Sequence, residues 1–521
     1  MIWFELVLLG LSLLLRIALT RKAKLGFDTF GHLYFCDLFQ NQKSGPFDGI
    51  ATGIAHSHKL ESALYFNWLM AKIPHYSEKK NRRYFNCAMD AIFGLSLIPM
   101  CTASGLPLES ALAVSLVYLS CPMWFSGMAI GPRITNFTPR LMSELLVNLY
   151  FIFVFYHQST GNLGVLIVAV FMGIVVLLSS KFGTQALLFL TILLVLLCWS
   201  VQPALPLFLT IAASLIVTKG RYAAMLSAHL KHLHWYLKEN IANRMFISTR
   251  NDVRQLALPF NRYDSVWNNI KAVSIPYAAK NSYTAVLFKL PLLVLLSAIW
   301  LASLIVDRVL TVPDYSPLVL AAVFLFLLTS QKVFLFLGEA ERYLNHIAVF
   351  VVLLFVDVVY QIDLPWLILA VAGYGLLFGL MELIIENEQA HKLTTKVHEK
   401  QRVMSWLMAQ PKQTVLLSPY HCMDGVWRVL RETSHQVLYP ITMKKDKKEL
   451  FESKFSDRYP FCKLDDPEGL FKEFGVGVIV CESGTSQEVA QSSAWQREAV
   501  GGRFYDVFTR KKSNARPGSD S

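Results

Sequence analysis

Two carboxylates, one shortly after an apolar segment and one inside another, could take part in proton transfer. Asp28 lies a few residues after the first apolar run, in Gly26-Phe27-Asp28-Thr29-Phe30-Gly31-His32. A carboxylate at the mouth of a membrane cavity could act as a general base on an incoming hydroxyl or amine, or bind a cation. The same position also suits a helix N-cap, which from spacing alone is the commoner role. The two roles are compatible, because a capping carboxylate is also a positioned one.

The second carboxylate, Glu144, lies inside an apolar segment. A charged side chain at the centre of a membrane helix costs about 2.5 kcal/mol or more. Glu144 therefore needs a partner or a water-filled cavity, and Arg140 one helical turn earlier is the predicted partner. Asp28 and Glu144 are our candidate catalytic residues.

Four basic side chains lie where apolar segments begin or end, and they could form an anion site. Guanidinium groups bind phosphate in a bidentate manner, and an ammonium adds a point charge. The commoner alternative is that each side chain reaches separately to the lipid headgroups. The candidates for a phosphate site are Arg133, Arg140, Lys181 and Arg342, with Tyr343 beside the last of them.

Three further side chains in the first polar loop, His32, His58 and Glu61, are candidates for acceptor binding. No pair of histidines there has a convincing ligand spacing, and no Cys-x-x-Cys occurs, so no metal site is assigned. Cys422, Cys462 and Cys481 could form one disulfide, but unbonded thiols are favoured. The sequence also contains no Walker loop, dinucleotide fingerprint, nucleophile elbow or HExxH motif.

These residues must be positioned by helices in a bilayer. Of the 521 residues 54% are hydrophobic and 17% charged, against about 25% charged in soluble proteins. Uninterrupted apolar runs predict about eleven membrane-spanning helices, because lipid satisfies no backbone hydrogen bonds. The first run lacks a basic start and a cleavage site, so it is interpreted as a retained span. The predicted spans are 2–20, 85–103, 107–127, 141–156, 163–180, 184–199, 203–218, 286–306, 316–337, 346–361 and 364–384.

Alternate numbering of the connections shows that the polar chemistry lies on one face of the bilayer. That face carries the long connections and the tail, whereas the other face has short links whose sole Lys or Arg is Arg308. The positive-inside rule would place the basic face in the cytoplasm. That rule weakens for long loops, yet Arg21, Lys22 and Lys24 directly follow the first span and argue for a cytoplasmic face.

The chain divides into a transmembrane domain (1–386), a soluble α/β domain (387–512) and a polar, disordered end (513–521). The first outer loop, 21–84, contains two helical patterns, Thr29–Phe39 and Leu60–Ile73, of the kind that can lie flat in the interface. A second long loop, 219–284, is helical at its start. In the soluble part, short apolar runs predict strands and the segments between them predict helices. The strands are Thr414–Ser418, Gln436–Tyr439 and Val476–Cys481, and the helices are Gly425–Glu432 and Pro467–Phe474.

This layout resembles the integral-membrane glycosyltransferases of the GT-C class, which include the protein O-mannosyltransferases and the aminoarabinose transferase of lipid A. Asp28-Thr29-Phe30-Gly31-His32-Leu33 is similar to the acidic start of their first outer loop. Lys181-Phe182-Gly183 and Arg342-Tyr343-Leu344 are similar to turns in several members. Phe474–Val480 and Tyr505-Asp506-Val507-Phe508 resemble parts of the soluble domain that many members carry. No Asp-x-Asp or Asp-Glu pair occurs at Asp28 and no proline-rich stretch follows, so the resemblance leaves a divalent cation open and does not specify the donor.

The resemblance implies transfer of a sugar from a polyprenyl-phosphate donor to a lipid, glycan or protein acceptor, with no role for nucleic acid. It implies a multi-pass protein of the bacterial inner membrane with an extracytoplasmic C-terminal domain. Asp28 would take the acceptor proton, the cations would stabilise the phosphate leaving group, and the loop 219–284 would cover the cavity. A polysaccharide polymerase or ligase and a transporter of lipid-linked glycans are the alternatives. A transporter would typically show internal repeats and ionisable groups near the midplane.

Overall fold

The computed structural model describes residues 2–22, 26–57, 59–60, 63–76, 78–126, 134–241, 281–306, 310–392, 394–440, 443–457, 461–485 and 487–511. The chain forms two compact units. The membrane unit comprises Met1–Gly26 and Ser62–Asn387, and the sheet unit comprises Phe27–Glu61 and Glu388–Ser521. Most of the first predicted loop thus packs with the C-terminal part of the chain.

The membrane unit consists of helices. They are α1 (Ile2–Lys22), α3 (Tyr65–Ala71), α4 (Lys79–Ala103), α5 (Leu108–Ser120), α6 (Pro122–Phe125), α7 (Pro139–Thr160), α8 (Leu163–Ser179), α9 (Lys181–Cys198), α10 (Ala204–Val217), α11 (Arg221–Trp235), α12 (Ser282–Lys289), α13 (Pro291–Ile305), α14 (Ser316–Thr329), α15 (Glu341–Asn345), α16 (Ala348–Gln361) and α17 (Trp366–Lys392). A π-helix, Tyr236–Ile241, follows α11, and a 3-10 helix, Lys332–Leu337, follows α14.

Within the described residues, five of these helices are long and apolar enough to cross a membrane, or up to seven if each of two bent pairs counts as one span. The pairs are α10 with α11, bent by 113°, and α12 with α13, bent by 82°. Four shorter apolar helices, α5, α8, α14 and α16, lie at other predicted spans. The chain is therefore a multi-pass membrane protein, but the predicted count of eleven is not confirmed. Apolar runs indicate where helices form and do not reveal bends such as the one at Pro291.

A buried ion pair joins the first two apolar helices of the membrane unit. Arg16 of α1 donates to Asp90 of α4 at 2.5 Å, and the hydroxyl of Tyr118 donates to the other oxygen of Asp90 at 2.9 Å. Arg16 and Asp90 are almost fully buried. A buried charge is tolerated when a hydrogen-bonded partner compensates its lost hydration. This pair explains why two charged residues occur inside otherwise apolar segments.

The sheet unit contains a five-stranded sheet with strand order β2-β1-β3-β5-β4. The strands are β1 (Thr414–Ser418), β2 (Gln436–Val437), β3 (Val476–Glu482), β4 (Trp495–Arg497) and β5 (Tyr505–Arg510). β1 is parallel to β2 and β3, whereas β5 is antiparallel to β3 and β4. The helices of this part are α18 (Thr394–Ala409), α19 (Val426–Glu432), α20 (Lys445–Glu452), α21 (Pro467–Phe474) and α22 (Gln487–Gln491). The three predicted strands and both predicted helices are present within two residues of their expected ends.

The first polar loop supplies the remainder of the sheet unit. Its helix α2 (Phe27–Gln42) packs its apolar face against α19, where the rings of Phe35 and Trp427 lie 5.1 Å apart. Arg431 and Asp37 form an ion pair at 2.7 Å across the same contact. Further along the loop, Ala55 donates its backbone N–H to Val437 of β2 at 3.0 Å. The apolar face of α2 is therefore buried by protein within its own unit.

All eight cysteines lie within the described residues, and none forms a disulfide. The second predicted interfacial helix, Leu60–Ile73, is shorter in the structure and corresponds to α3. The second long loop begins with α11 and the π-helix, and its residues 242–280 lie outside the described residues.

Candidate functional site

Three segments of the membrane unit bring candidate residues together: the start of α7, the start of α9 and the segment 338–346. α7 begins with a proline at its first position, where the missing N–H costs nothing. α9 is capped by Ser180, whose hydroxyl accepts a hydrogen bond from the backbone N–H of Gly183 at 3.1 Å. The segment 338–346 precedes α16 and contains the short helix α15.

Glu144 is fully buried, and Arg140 is its partner as the sequence predicts. Nε of Arg140 lies 3.1 Å from Oε1 of Glu144, and the side-chain amide of Asn345 donates to the same oxygen at 3.4 Å. Asn148, one turn further along α7, donates to the backbone carbonyl of Glu144 at 2.8 Å and accepts the N–H of Val349 at 2.9 Å. These contacts couple α7 to α15 and α16 through buried polar groups.

Arg342 is held from two sides. Its guanidinium carbon lies 3.7 Å from the ring centroid of Phe182, and its terminal nitrogen forms an ion pair with Glu339. Stacking on an aromatic face keeps the planar guanidinium in one orientation. Gly338 makes this arrangement possible, because its φ is +102° and an added Cβ would lie 2.5 Å from the ring of Phe182. Arg342 is therefore placed beside Phe182, the residue that follows Lys181.

His346 lies next to both arginines. Its Nδ1 donates to the backbone carbonyl of Arg342 at 2.6 Å. Burial lowers the pKa of His346 to about 4, although the neighbouring Glu144 acts in the opposite direction. The imidazole is thus neutral at physiological pH. We call Arg140, Glu144, Glu339, Arg342 and His346 the arginine cluster.

Several buried polar atoms in or next to the arginine cluster have no hydrogen-bond partner among the described residues. They include the hydroxyl of Tyr343, Oδ1 of Asn345 and Nε2 of His346. Burial raises the pKa of Tyr343, so its hydroxyl stays protonated and can donate. Buried polar atoms are nearly always hydrogen-bonded, and a group of unsatisfied ones is typical of a site that receives water or a polar ligand.

Lys181 lies at the first position of α9, where the sequence places it in the interface. Its ammonium is within electrostatic range of His229 and His232 on α11. No carboxylate forms an ion pair with it in the described part of the chain. Lys181 therefore differs from Arg140 and Arg342, each of which has a glutamate partner.

The other candidates are distributed differently. Asp28 and His32 lie on α2 of the sheet unit. Asp28 is exposed in the first turn of the helix rather than at its N-cap, because the helix begins one residue earlier, at Phe27. The phenol of Tyr439 is within electrostatic range of Asp28. Arg133, His58 and Glu61 lie outside the described residues.

Sequence reasoning missed the buried polar residues that hold the arginine cluster, namely Asn148, Asn345 and His346. Asn148 was detectable, because an amide inside an apolar segment needs a partner just as a carboxylate does. His346 and Asn345 carried no such signal, since they occur in a polar stretch of ordinary composition. Only their burial distinguishes them from solvated loop residues.

No group of three or more His, Cys, Asp or Glu side chains among the described residues could hold a metal ion.

The chain is similar in structure to the oligosaccharyltransferase of Archaeoglobus fulgidus. The apo form of that enzyme aligns over 92% of this chain and 69% of its own, with 11% identity and a TM-score of 0.49. A complex of that protein with an inhibitory peptide and a dolichol-phosphate aligns over the same shares, with 11% identity and a TM-score of 0.47. A third structure, with zinc and sulfate, has the same identity and TM-score and covers 68% of that chain. No family model and no curated protein matches the chain.

Proposed function

We propose that the protein is a membrane glycosyltransferase that moves a sugar from a polyprenyl-phosphate donor to a lipid, glycan or protein acceptor. The observation that carries the proposal is the arginine cluster, in which partly buried cations and unsatisfied buried polar atoms surround the start of α7 and α9. Each of these groups loses its hydration on burial. In a protein that serves only as a scaffold, nothing would compensate for that cost.

The donor phosphate is the ligand that this chemistry suits. The guanidinium of Arg342 carries five N–H donors in a planar fork, and its stacking on Phe182 orients that fork. Lys181 adds a positive charge that no described carboxylate offsets. Tyr343 can donate a neutral hydrogen bond to a phosphate oxygen. In the proposed reaction the bond between the anomeric carbon and the phosphate oxygen breaks, and these groups stabilise the charge that develops on the leaving phosphate.

The acceptor contributes a hydroxyl or amine nucleophile, which forms the new bond to the anomeric carbon and loses a proton. We assign the role of proton acceptor to Asp28, an exposed carboxylate that is available to a polar molecule. Glu144 has a different role in the proposal. Because it is buried and bonded to Arg140 and Asn345, it positions the arginine.

The assay uses the full chain in nanodiscs with labelled polyprenyl-phosphate sugars and measures transferred sugar and released polyprenyl phosphate. Lys181→Met is expected to lower kcat/KM by about a hundredfold, the loss typical of removing one charge-stabilising group. Lys22→Met is the matched control, because Lys22 is likewise a lysine at the terminus of an apolar helix but is exposed and bonded to Asn387 at 3.2 Å. Absence of transfer from every donor tested, or full activity of Lys181→Met, contradicts the proposal.

A second pair of variants tests the proton acceptor. Asp28→Asn should abolish most of the activity, whereas Asp446→Asn should leave it unchanged. The two aspartates are matched, since each is exposed and occupies the second position of a helix in the sheet unit.

The same assay run with EDTA and then with excess Mg²⁺ or Mn²⁺ measures dependence on a divalent cation.

We also propose that the C-terminal end is extracytoplasmic, in the inner membrane of a bacterium, as the acceptor side of such an enzyme requires. Alkaline phosphatase fused after Ser521 would then be active, and a fluorescent protein exported there through the general secretory route would be dark. The opposite result places the end in the cytoplasm, as Arg21, Lys22 and Lys24 favour, and it overturns the outward-facing transferase.

A further inference from the structure

Two adjoining cavities lie in the membrane unit, away from the arginine cluster. Their volumes are about 700 and 670 Å³, within the range of about 300–1,000 Å³ typical of ligand pockets. The two cavities share part of their walls, so one elongated ligand could occupy both. The shared residues are Ser104, Ile152, Tyr156, Pro313, Tyr315 and Leu353.

The cavities lie at the opposite end of α7 from the arginine cluster. Glu144 is in the first two turns of that helix, and Tyr156 is in its last two turns. At 1.5 Å per residue the two positions are roughly 18 Å apart along the helix axis. The end of α4, the segment 313–315 and α16 from Val349 to Tyr360 also contribute to the walls. The cavities therefore belong to the face with the short links.

The carboxylates and aromatic rings of the lining all attract positive charge. Most lining residues are apolar, and the acidic ones are Asp314 and Asp357. Tyr156, Tyr315 and Tyr360 add aromatic faces, which attract cations. No Lys, Arg or His lines either cavity within the described residues. A ligand with a net negative charge would therefore find no counter-charge there.

Asp357 is the carboxylate best placed to bind a cation. Its Oδ2 accepts a hydrogen bond from Nε2 of Gln361 at 2.9 Å, while Oδ1 has no partner in the described residues. Gln361 is itself fixed, because it accepts the N–H of Thr311 at 2.8 Å and donates to its carbonyl at 3.0 Å. Two more carboxylates, Glu5 and Glu109, are within electrostatic range of the Tyr360 hydroxyl.

An organic cation fits this lining better than a metal ion does. The described residues contain no cluster of His, Cys, Asp or Glu side chains that could hold a metal ion, whereas the apolar walls suit hydrocarbon. A lipid whose headgroup ends in an ammonium group fits both parts of the lining. The carboxylates and aromatic rings would bind the ammonium, and the apolar walls would bind the hydrocarbon chain. We propose that these acidic cavities bind a bilayer lipid whose headgroup ends in a primary ammonium, such as phosphatidylethanolamine.

The test measures lipid retention, which does not depend on the proposed transferase activity. The full chain is reconstituted in vesicles that contain equal amounts of phosphatidylethanolamine and phosphatidylglycerol with the same acyl chains. It is then extracted in mild detergent, and native mass spectrometry counts the lipids that remain bound. We expect the wild type to retain phosphatidylethanolamine about tenfold over phosphatidylglycerol, the ratio typical of one charge-assisted hydrogen bond.

Asp357→Asn keeps the shape of the side chain and should reduce that preference to about onefold to twofold. Asp363→Asn is the matched control, because Asp363 is an exposed aspartate near the end of the same helix and outside both linings. Its positive φ of 58° is one that asparagine tolerates, and the variant should keep the preference. Equal retention of both lipids by the wild type, or an unchanged preference in Asp357→Asn, overturns the proposal.

Leu353→Trp provides a second, independent variant, because Leu353 lines both cavities and a larger side chain fills them. It should lower the amount of bound phosphatidylethanolamine about tenfold without changing the charge of the lining. Full retention of phosphatidylethanolamine by this variant would show that the lipid binds elsewhere and would also overturn the assignment to the cavities.

Discussion

The arginine cluster and the acidic cavities occupy opposite ends of the membrane unit, and they differ in whether their carboxylates are paired with basic side chains. In the arginine cluster, Glu144 and Glu339 each lie against an arginine. At the other end, Asp357 and Glu5 have no basic partner in the described part of the chain. The two ends therefore differ in the charge that they offer to a ligand.

Exposure accounts for part of this difference. Glu144 is completely buried, so its charge must be compensated by protein groups. Asp357 is only half-buried at a cavity wall and can be compensated by water or by a ligand. Glu5 is the exception, because it is 1% exposed and both its oxygens lack a partner among the described residues. The comparison teaches that a buried carboxylate in this protein is not automatically a stabilised one.

The largest expected effect comes from removing one partner of the buried pair. Glu144→Ala leaves Arg140 without its carboxylate and should lower the free energy of unfolding by about 3–5 kcal/mol. The double variant Glu144→Ala/Arg140→Met should recover most of this loss, because neither charge of the pair is left without its partner. Thermal unfolding of both variants in detergent, followed by circular dichroism, provides the measurement. A single variant as stable as the wild type would mean that the pair does not stabilise the fold.

The next effect concerns pH. The folded pKa of His346, about 4, lies below the value of about 6.5 in an unfolded chain. The folded state therefore binds this proton less well than the unfolded state, and its stabilising contribution is complete above pH 6.5 and declines as the pH falls towards 4. At pH 4 the loss is about 3 kcal/mol.

His346→Gln should flatten the dependence of stability on pH between 6.5 and 4, since glutamine does not titrate. Wild type and variant are compared by thermal unfolding at half-unit pH intervals. His75→Gln is the control, because His75 is exposed and bonded to Glu78. The prediction is wrong if the two curves run parallel over this range.

Asn148→Leu should have a smaller effect, of about 2 kcal/mol. The substitution removes the acceptor of the Val349 N–H and the donor to the carbonyl of Glu144, and buried backbone groups without partners cost about 1–3 kcal/mol. The same variant should lower transferase activity, because Asn148 couples α7 to the start of α16. Hydrogen exchange at Val349 would report the lost bond directly, and unaltered protection there would contradict the assignment.

The smallest effect has the opposite sign. Glu5→Gln removes a buried carboxylate that has no described partner and lies near the like charge of Glu109. We expect the variant to be more stable by about 1 kcal/mol, because it removes a buried carboxylate whose lost hydration no described partner compensates. Glu144→Gln in the arginine cluster should be destabilising under the same conditions. If both variants changed the stability in the same direction, the carboxylates at the two ends of the membrane unit would not differ in the way described.

The sequence predicts those features that depend on neighbours along the chain. Apolar runs predict the positions of the membrane helices, and the strands β1 and β3 with the helix α21 lie almost where the pattern places them. The pairing of Glu144 with Arg140 also follows from spacing, because residues four apart share one face of a helix.

The tertiary structure alone decides which distant segments meet. The first loop looks like two interfacial helices, yet α2 joins the sheet unit through Trp427 and Arg431, nearly 400 residues later in the chain. The burial of His346 also depends on helices that are far apart in sequence, and so do the walls of the acidic cavities. Periodicity reports the face that a helix buries but not the partner that covers it, since any complementary apolar surface satisfies the hydrophobic effect equally well.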